Sequence, residues 1–298
     1  MNENILKHVV KSFVIIAIVS LWNCKQPNNN TALDSFDSIS TPLPSIDSLV
    51  DIIYSMPDPD EILNEIFIEN IELKSGIIYS TEKTNQLFEY NSMALHLGVL
   101  MADMTYLLLQ ENNNEAVEYF RAIVQLSDRL DLRVYKNKDL LNKIQNNIDN
   151  KNALLVIFKE SISDIKYELD YSKRNKDLAL IYTGSIIETF YLAINNIDNN
   201  NSQVFSEHIL KQYSILISLE AFLSYYRASS DIQQLIEQLD SINYYMDKCI
   251  VHDTISTTKE YKDKQLYINR GNSVVFKMES FDSVRKKITE LRNTIIEN

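Results

Sequence analysis

Apolar residues recur every three or four positions along most of this chain, the spacing that places them on one face of an α-helix. The longest series predicts a helix over about 84–110 and consists of Leu87, Tyr90, Ala94, Leu97, Met101, Met104 and Leu108. Similar series predict a helix that begins near Pro59, one that follows "ENNN", and others over 138–148, 152–172, 177–197, 202–228, 231–252 and from 283 onward. Short Asn-rich joints separate several of these helices, which favours antiparallel neighbours. We therefore expect an all-α fold, an antiparallel multi-helix bundle.

The scarcity of glycine and proline supports this expectation. The chain has four glycines and five prolines, and every proline lies before residue 60. No proline therefore interrupts the helical series that follow. Phosphate-binding and dinucleotide-binding loops need several glycines at fixed spacing. The four glycines of this chain do not provide such a spacing.

One segment near the C-terminus has a different pattern. In "KQLYINRGNSVVFKM", β-branched and aromatic residues flank the sequence "NRGN". This pattern predicts a small β-hairpin near 264–278, with its turn at "NRGN". We expect this hairpin and the closing helix to form a minor C-terminal part of the domain, 260–298.

The first 24 residues have the pattern of an export signal. Lys7 and Lys11 precede the apolar run "SFVIIAIVSLW", which ends just before Cys24. The run is about 11 residues long, which is short of the ~20 that span a bilayer as a helix. Leu21, three residues before Cys24, resembles the bacterial lipobox, in which the signal is cut and the cysteine is lipidated. We expect a signal peptide over 1–23, lipidation of Cys24, a polar tether over 24–45 and a helical domain over 46–298.

The alternatives for this segment are an uncleaved anchor and an ordinary secretory signal that is cut nearby. Lipidation predicts a stable attachment, since two or more acyl chains hold a protein on a membrane. The residue after Cys24 is Lys25 and not the Asp that often marks retention in the inner membrane. We therefore expect a cell-envelope protein that is anchored in the outer membrane, on its periplasmic or surface face.

The net charge limits the classes of partner. The formal net charge is −12, and phosphate binding depends on clustered Lys and Arg. We expect no nucleic-acid partner, and we expect membrane contact only through the N-terminal lipid. Once Cys24 is lipidated, Cys249 is the remaining thiol. No intramolecular disulfide is then expected.

Two helical segments have similar sequences. Both "ALHLGVLMADMTYLLL" and "ALIYTGSIIETFYLAI" contain Ala-Leu, then Gly, then an acid, then Tyr. An Asn-rich turn and another amphipathic helix follow each segment, which predicts two related helical hairpins. The first hairpin is tetratricopeptide-like, with Ala116 and Phe120 in its second helix. The three matching repeats that a tetratricopeptide array requires are not found.

The blocks "ALHLGVLMADMTY", "EYFRAIVQLSDRLDL" and "GSIIETFYLA" also carry a family resemblance. Together they resemble a family of uncharacterised all-helical lipoproteins of Bacteroidota-type bacteria. The likeness spans about 57–200, with Leu100, Ile186 and Asp131 as departures from the family pattern. The resemblance implies an exported, lipid-anchored, all-helical domain. It implies no activity.

Asp103 and Glu188 are the main candidate site residues, because each lies in an otherwise apolar helix. A buried carboxylate must be paired, hydrogen-bonded or protonated. One interpretation is structural, in which each acid accepts hydrogen bonds from a helix end, a Tyr hydroxyl or an Arg. A second is a polar ligand pocket between the two hairpins, formed with Tyr106, Tyr191 and His96. The third is simple exposure to solvent.

Other chemical candidates have less support. Cys249 and His252 have a spacing that suits two zinc ligands, but zinc needs three or four. The patterns of Ser nucleophiles, of HExxH metalloproteases and of di-iron bundles are absent from the sequence. We expect no metal and no cofactor. Paired tyrosines in "LSYYRASS" and "NYYMDKC" are typical both of interfaces and of half-buried bundle positions.

Two functions remain open. The first is a non-enzymatic binding or scaffold module that presents a groove to a protein or peptide partner. The second is an envelope small-ligand binder or glycan hydrolase that uses Asp103 and Glu188, since paired carboxylates carry out glycoside hydrolysis.

Overall fold

The structure is a computed structural model that describes residues 56–67, 73–132, 138–198, 202–252, 256–262, 265–271 and 274–297. The described residues belong to one unit of the chain. The predicted signal peptide over 1–23, Cys24 and the predicted tether over 24–45 lie outside the described residues.

The all-α prediction is confirmed by ten α-helices in the described residues. Their bounds are α1 Pro59–Ile66, α2 Tyr90–Leu109, α3 Asn113–Arg129, α4 Lys138–Asn146, α5 Lys151–Tyr171, α6 Asn175–Asn195, α7 Ser202–Lys211, α8 Tyr213–Ser224, α9 Ser230–Cys249 and α10 Phe281–Glu297. The described residues also contain two short 3₁₀ helices, Thr81–Gln86 and Met278–Ser280.

Two predicted helices differ from the structure. The helix expected over 84–110 is divided into the 3₁₀ helix Thr81–Gln86 and α2, because the Glu89 side chain accepts a hydrogen bond from Ser92 N–H at 2.6 Å and caps α2. The helix expected over 202–228 is divided at Gln212, whose N–H donates to the carbonyl of Ile209 three residues earlier. That bond replaces the regular bond to the fourth preceding residue.

Short turns join consecutive helices into antiparallel hairpins, although the turn residues are not glycine. Glu111, Asp131 and Lys173 have positive φ angles of 60°, 55° and 61° at the ends of α2, α3 and α5. At the end of α2, Asn112 N–H donates to Leu107 O and Glu111 N–H donates to Leu108 O. This pair of bonds is the Schellman motif, which most often has glycine at the left-handed position.

The central helices α2 and α6 pack together over a long interface and run in the same direction. At their first turns, Tyr90 OH donates to Asp177 at 2.9 Å. At their last turns, Asn196 Nδ2 donates to Tyr106 OH at 2.8 Å. The sequence predicts antiparallel neighbours for consecutive helices. This pair is not consecutive, and its parallel direction follows from the intervening helices.

Gly98 and Gly184 allow α2 and α6 to approach closely. A Cβ atom at Gly98 would lie 1.9 Å from Ile181 O, and one at Gly184 would lie 1.9 Å from Leu95 O. Ile181 and Leu95 each precede the glycine of their own helix by three residues, so the contact is reciprocal. The two segments with similar sequences therefore pack against each other with matched geometry.

Where the structure describes the chain between α9 and the second 3₁₀ helix, four strands occur: β1 Ile250–His252, β2 Ser256–Lys262, β3 Gln265–Gly271 and β4 Val274–Phe276. β1 pairs antiparallel with β4, and β2 pairs antiparallel with β3. The turn predicted at "NRGN" is wrong. Asn269 and Gly271 pair with Thr258 and Ser256 within the β2–β3 ladder. Both β2 and β3 contain residues that favour strands, so the strand continues through this sequence.

In the described residues, α2 and α6 are also long and apolar enough to cross a membrane by length and composition. The apolar windows of these helices are 94% and 89% buried inside the protein. The core helices of a globular domain meet the same criterion, so the match carries little weight.

Candidate functional site

The crossing of α2 and α6 brings Asp103 and Glu188 together. Asp103 follows Gly98 by five residues and Glu188 follows Gly184 by four, so in two parallel helices both acids lie on the same side of the crossing. Both side chains are completely buried, with 0% of their surface exposed. Neither acid is therefore open to a substrate.

Glu188 forms a buried ion pair with Arg292 of α10. Arg292 Nε and Nη2 donate to the two carboxylate oxygens at 2.9 and 3.1 Å, which is bidentate geometry. The guanidinium also lies 4.3 Å from the centre of the Tyr191 ring, a cation–π contact. Burial raises the pKa of Glu188, while the Arg292 guanidinium acts in the opposite direction. We take Glu188 to be ionised at neutral pH, because a charged bidentate partner is in place.

Asp103 lies beside Glu188 and differs from it chemically. Its Oδ2 accepts a hydrogen bond from Tyr79 N–H at 3.0 Å, while its Oδ1 is buried without an acceptable donor. Burial and the nearby charge of Glu188 raise the pKa of Asp103 well above its usual value. Protonation of Asp103 would give the unpaired oxygen a partner, since its O–H can donate to Glu188, which lies within hydrogen-bonding reach. The cluster of Asp103, Glu188 and Arg292 then has no net charge, the least costly form in a buried site.

His96 is neutral and lies near the cluster. Its Nδ1 is 2.8 Å from Ser92 O, so Nδ1 carries the proton and donates it. Nε2 is buried and makes no hydrogen bond of good geometry in the described residues, although the main chain of Ile296 lies close to the ring. Burial lowers the pKa of His96, and its ring packs against Tyr79 with 5.0 Å between the centroids.

The two predicted site tyrosines have separate roles. Tyr191 lies under the Arg292 guanidinium and belongs to the buried cluster. Tyr106 does not contact that cluster through its hydroxyl, which donates to Lys74 O at 2.9 Å and bonds Asn196 at the ends of α2 and α6. The geometry therefore favours the structural interpretation of the acids over a ligand pocket between them.

Sequence reasoning missed Arg292 and Tyr79. Arg292 follows Ile288 by four residues and precedes Ile295 by three, so it lies beside the buried stripe of α10. The sequence did contain a signal for Arg292, because a basic residue beside the buried stripe of a helix indicates a buried acidic partner. Tyr79 contributes its main-chain N–H, and the sequence contains no signal for that contact.

The other candidates of the sequence have no site around them. Cys249 is buried at the end of α9, and the described residues contain no cluster of three or more His, Cys, Asp or Glu that could hold a metal ion. Tyr225, Tyr226 and Tyr245 are half-buried, while 56% of Tyr244 is exposed. These positions fit the bundle interpretation of the paired tyrosines.

A larger concave surface lies at the opposite side of the crossing, between α2, α6, α9 and α10. We name it the polar cleft. Its volume is about 350 Å³, and its lining comprises Glu89, Asn91, Ser92, Leu95, Leu180, Asp231, Gln234, Leu235 and Thr294. Asn91 Nδ2 donates to Asp231 at 3.1 Å and connects α2 with α9. The volume lies within the range of small-molecule sites.

Two smaller cavities have other linings. One of about 260 Å³ lies between α3 and α4, beside Val117, Phe120 and Ile144. The other has a volume of about 20 Å³ and lies beside Asp58, Lys166 and Tyr182, which is room for about one water molecule.

Comparison with known proteins adds no relative from which a function could be inferred. No protein-family model matches the chain, and neither the curated proteins nor the solved structures give a match.

Proposed function

We propose that this chain is a lipid-anchored, non-enzymatic binding protein of the cell envelope, and that its ligand lies in the polar cleft. The main support for the proposal is the geometry of the cleft. It combines a volume of about 350 Å³ with polar groups from three helices over an apolar floor of Leu95, Leu180 and Leu235. A few placed polar groups over an apolar surface are typical of ligand sites.

The state of the two core acids supports binding over hydrolysis. A glycoside hydrolase places one carboxyl group as an acid and one as a base or nucleophile, both open to the sugar. Asp103 and Glu188 are completely buried, and Glu188 is held by Arg292. Their charges are satisfied within the core, which leaves the concave surface as the place for a ligand.

The small molecules that co-purify with the protein test the binding proposal directly. Gln234→Trp places a large side chain in the polar cleft, whereas Gln233→Trp changes an exposed neighbour on the same helix that does not line it. Full-length protein is purified from its native membranes in detergent, and mass spectrometry identifies the small molecules released on denaturation. We expect the wild type and Gln233→Trp to retain a molecule that Gln234→Trp loses. The same molecules in all three samples would contradict binding in the cleft.

The lipid anchor has its own test. Cys24→Ser removes the sulfur that would carry the lipid, and we expect most of the protein to move from the membrane to the soluble fraction. The reason is that each buried CH₂ of an acyl chain contributes about 0.8 kcal/mol to membrane attachment. Fractionation followed by immunoblotting measures this, with Cys249→Ala as the control for loss of a thiol. Membrane retention of Cys24→Ser would show that the segment is an uncleaved anchor.

A further inference from the structure

The polar cleft contains two carboxylates that have no basic partner among the described residues. Glu89 Oε2 accepts a hydrogen bond from Ser92 N–H at 2.6 Å. Asp231 accepts from Asn91 Nδ2 and from Ser230 Oγ, both at 3.1 Å. All of these donors are neutral, and no Lys, Arg or His lines the cleft. Both negative charges therefore face the cleft without a cation from the described part of the chain.

The small cavity beside α1 provides an internal comparison. It also has an acid in its lining, Asp58, but there the chain supplies a cation of its own. Lys166 Nζ pairs with Asp58 and lies 5.1 Å from the centre of the Tyr182 ring. That cavity has room for about one water molecule, whereas the polar cleft is larger and its two carboxylates are partnered by helix N-termini and neutral donors and not by a cation of the described residues.

The floor of the cleft determines which kind of cation fits. Leu95, Leu180 and Leu235 are at most 8% exposed and form the apolar part of the lining that also contains the two acids. A metal ion would need several oxygen ligands around one point, and no group of three or more His, Cys, Asp or Glu that could hold a metal ion occurs in the described ranges. A hydrocarbon stem with an ammonium group at its end satisfies both the floor and the charges.

We infer that the polar cleft binds a small aliphatic amine, with diamines as the best ligands because an acid is present on each of two walls. This inference rests on the proposed function and names its ligand class. The ammonium groups donate to Glu89 of α2 and Asp231 of α9. The methylene chain lies on the leucine floor, and the side-chain oxygen of Gln234 is a further acceptor for N–H groups.

The test is calorimetric titration of the full-length protein in detergent with 1,4-diaminobutane. The uncharged 1,4-butanediol, which has the same chain length, is the ligand control. We expect saturable binding of the diamine, weaker binding at higher salt, and no saturable binding of the diol. Glu89→Gln and Asp231→Asn should each weaken the diamine about tenfold, the loss of one charge-assisted hydrogen bond.

Matched variants separate recognition from folding. Gln at position 89 still has an oxygen that can accept Ser92 N–H and cap α2, and Asp164→Asn removes an exposed acid of α5 that does not line the cleft. Circular dichroism should be unchanged in all three variants, and Asp164→Asn should bind as the wild type does. Equal binding of diamine and diol, no binding of the diamine, or equal affinity in every variant would overturn the inference. A retained molecule without an amine would overturn it too, while leaving the binding function in place.

Discussion

Replacing Gly98 with alanine is expected to lower the free energy of unfolding by about 3 kcal/mol. The added Cβ would lie 1.9 Å from Ile181 O and 2.6 Å from Ser185 N. Both are main-chain atoms of α6, so they cannot rotate away as the end of a flexible side chain can. The central helices would have to move apart, and the core contacts along both would loosen.

Helix propensity predicts the opposite sign. In a helix without tertiary contacts, alanine in place of glycine stabilises by about 0.5 to 1 kcal/mol. The close approach of the α2 and α6 backbones decides the outcome, because its expected cost is several times larger. The sign of the measured change therefore reports directly on this crossing.

Urea unfolding, followed by circular dichroism, measures the effect on the chain from residue 25 onward. Gly184→Ala should cost about as much as Gly98→Ala, because its Cβ meets Leu95 O at the same distance. The double variant should cost less than the sum, since one methyl group already separates the helices at the shared contact. Ser163→Ala at an exposed position of α5 is the control for helix propensity. A stabilised Gly98→Ala would show that α2 and α6 do not approach this closely.

Local patterns in the sequence were sufficient for the helices but not for their pairing. The spacing of apolar residues gave α2, α5, α6 and α9 to within a few residues, apart from the start of α2, since burial of one face imposes the helical period. The similar positions of Gly98 and Gly184 in two segments indicated related hairpins. Their direct contact was not predictable, because it joins helices that are distant in the chain and pack in parallel.

The candidate site was also predictable only in its local features. Asp103 and Glu188 were predictable as unusual, because each interrupts an apolar helix. Arg292 lies 104 residues beyond Glu188, and its role depends on how α10 docks on α6. The polar cleft was not predictable for another reason. Glu89 and Asp231 are solvent-exposed residues, and only the packing of α2, α6, α9 and α10 places them in one concave surface.

Glu188→Gln is expected to have the largest effect of any single change in the buried cluster, a loss of about 3 to 5 kcal/mol in unfolding free energy. The variant keeps the shape of the side chain and removes its charge. Arg292, with 8% of its surface exposed, would then lack the carboxylate that receives its two hydrogen bonds. A buried cation without its partner is the cause of the loss.

Asp103→Asn is expected not to destabilise the protein at neutral pH, although this acid is equally buried, because asparagine replaces a carboxyl group that must take up a proton when the chain folds at that pH. A protonated Asp103 donates to Glu188 and accepts from Tyr79 N–H. An asparagine side chain does both, with its amide in place of the carboxyl O–H. The two acids should therefore respond very differently to the same kind of substitution, and urea unfolding of both variants at neutral pH measures the difference. Similar losses in the two would show that both acids are ionised in the folded protein.

The pH dependence of the Asp103→Asn variant adds an independent check on the proton. Because the pKa of Asp103 is raised in the folded state, the folded protein holds this proton more tightly than the unfolded chain does. The resulting stability is fully present below the pKa of the unfolded carboxyl group and is lost as the pH rises through the folded pKa. Asparagine has no proton to lose, so the stability of Asp103→Asn relative to the wild type should increase steadily as the pH rises. A difference that stays constant over that range would mean that Asp103 has the same protonation in the folded and unfolded states, and the neutral cluster would have to be abandoned.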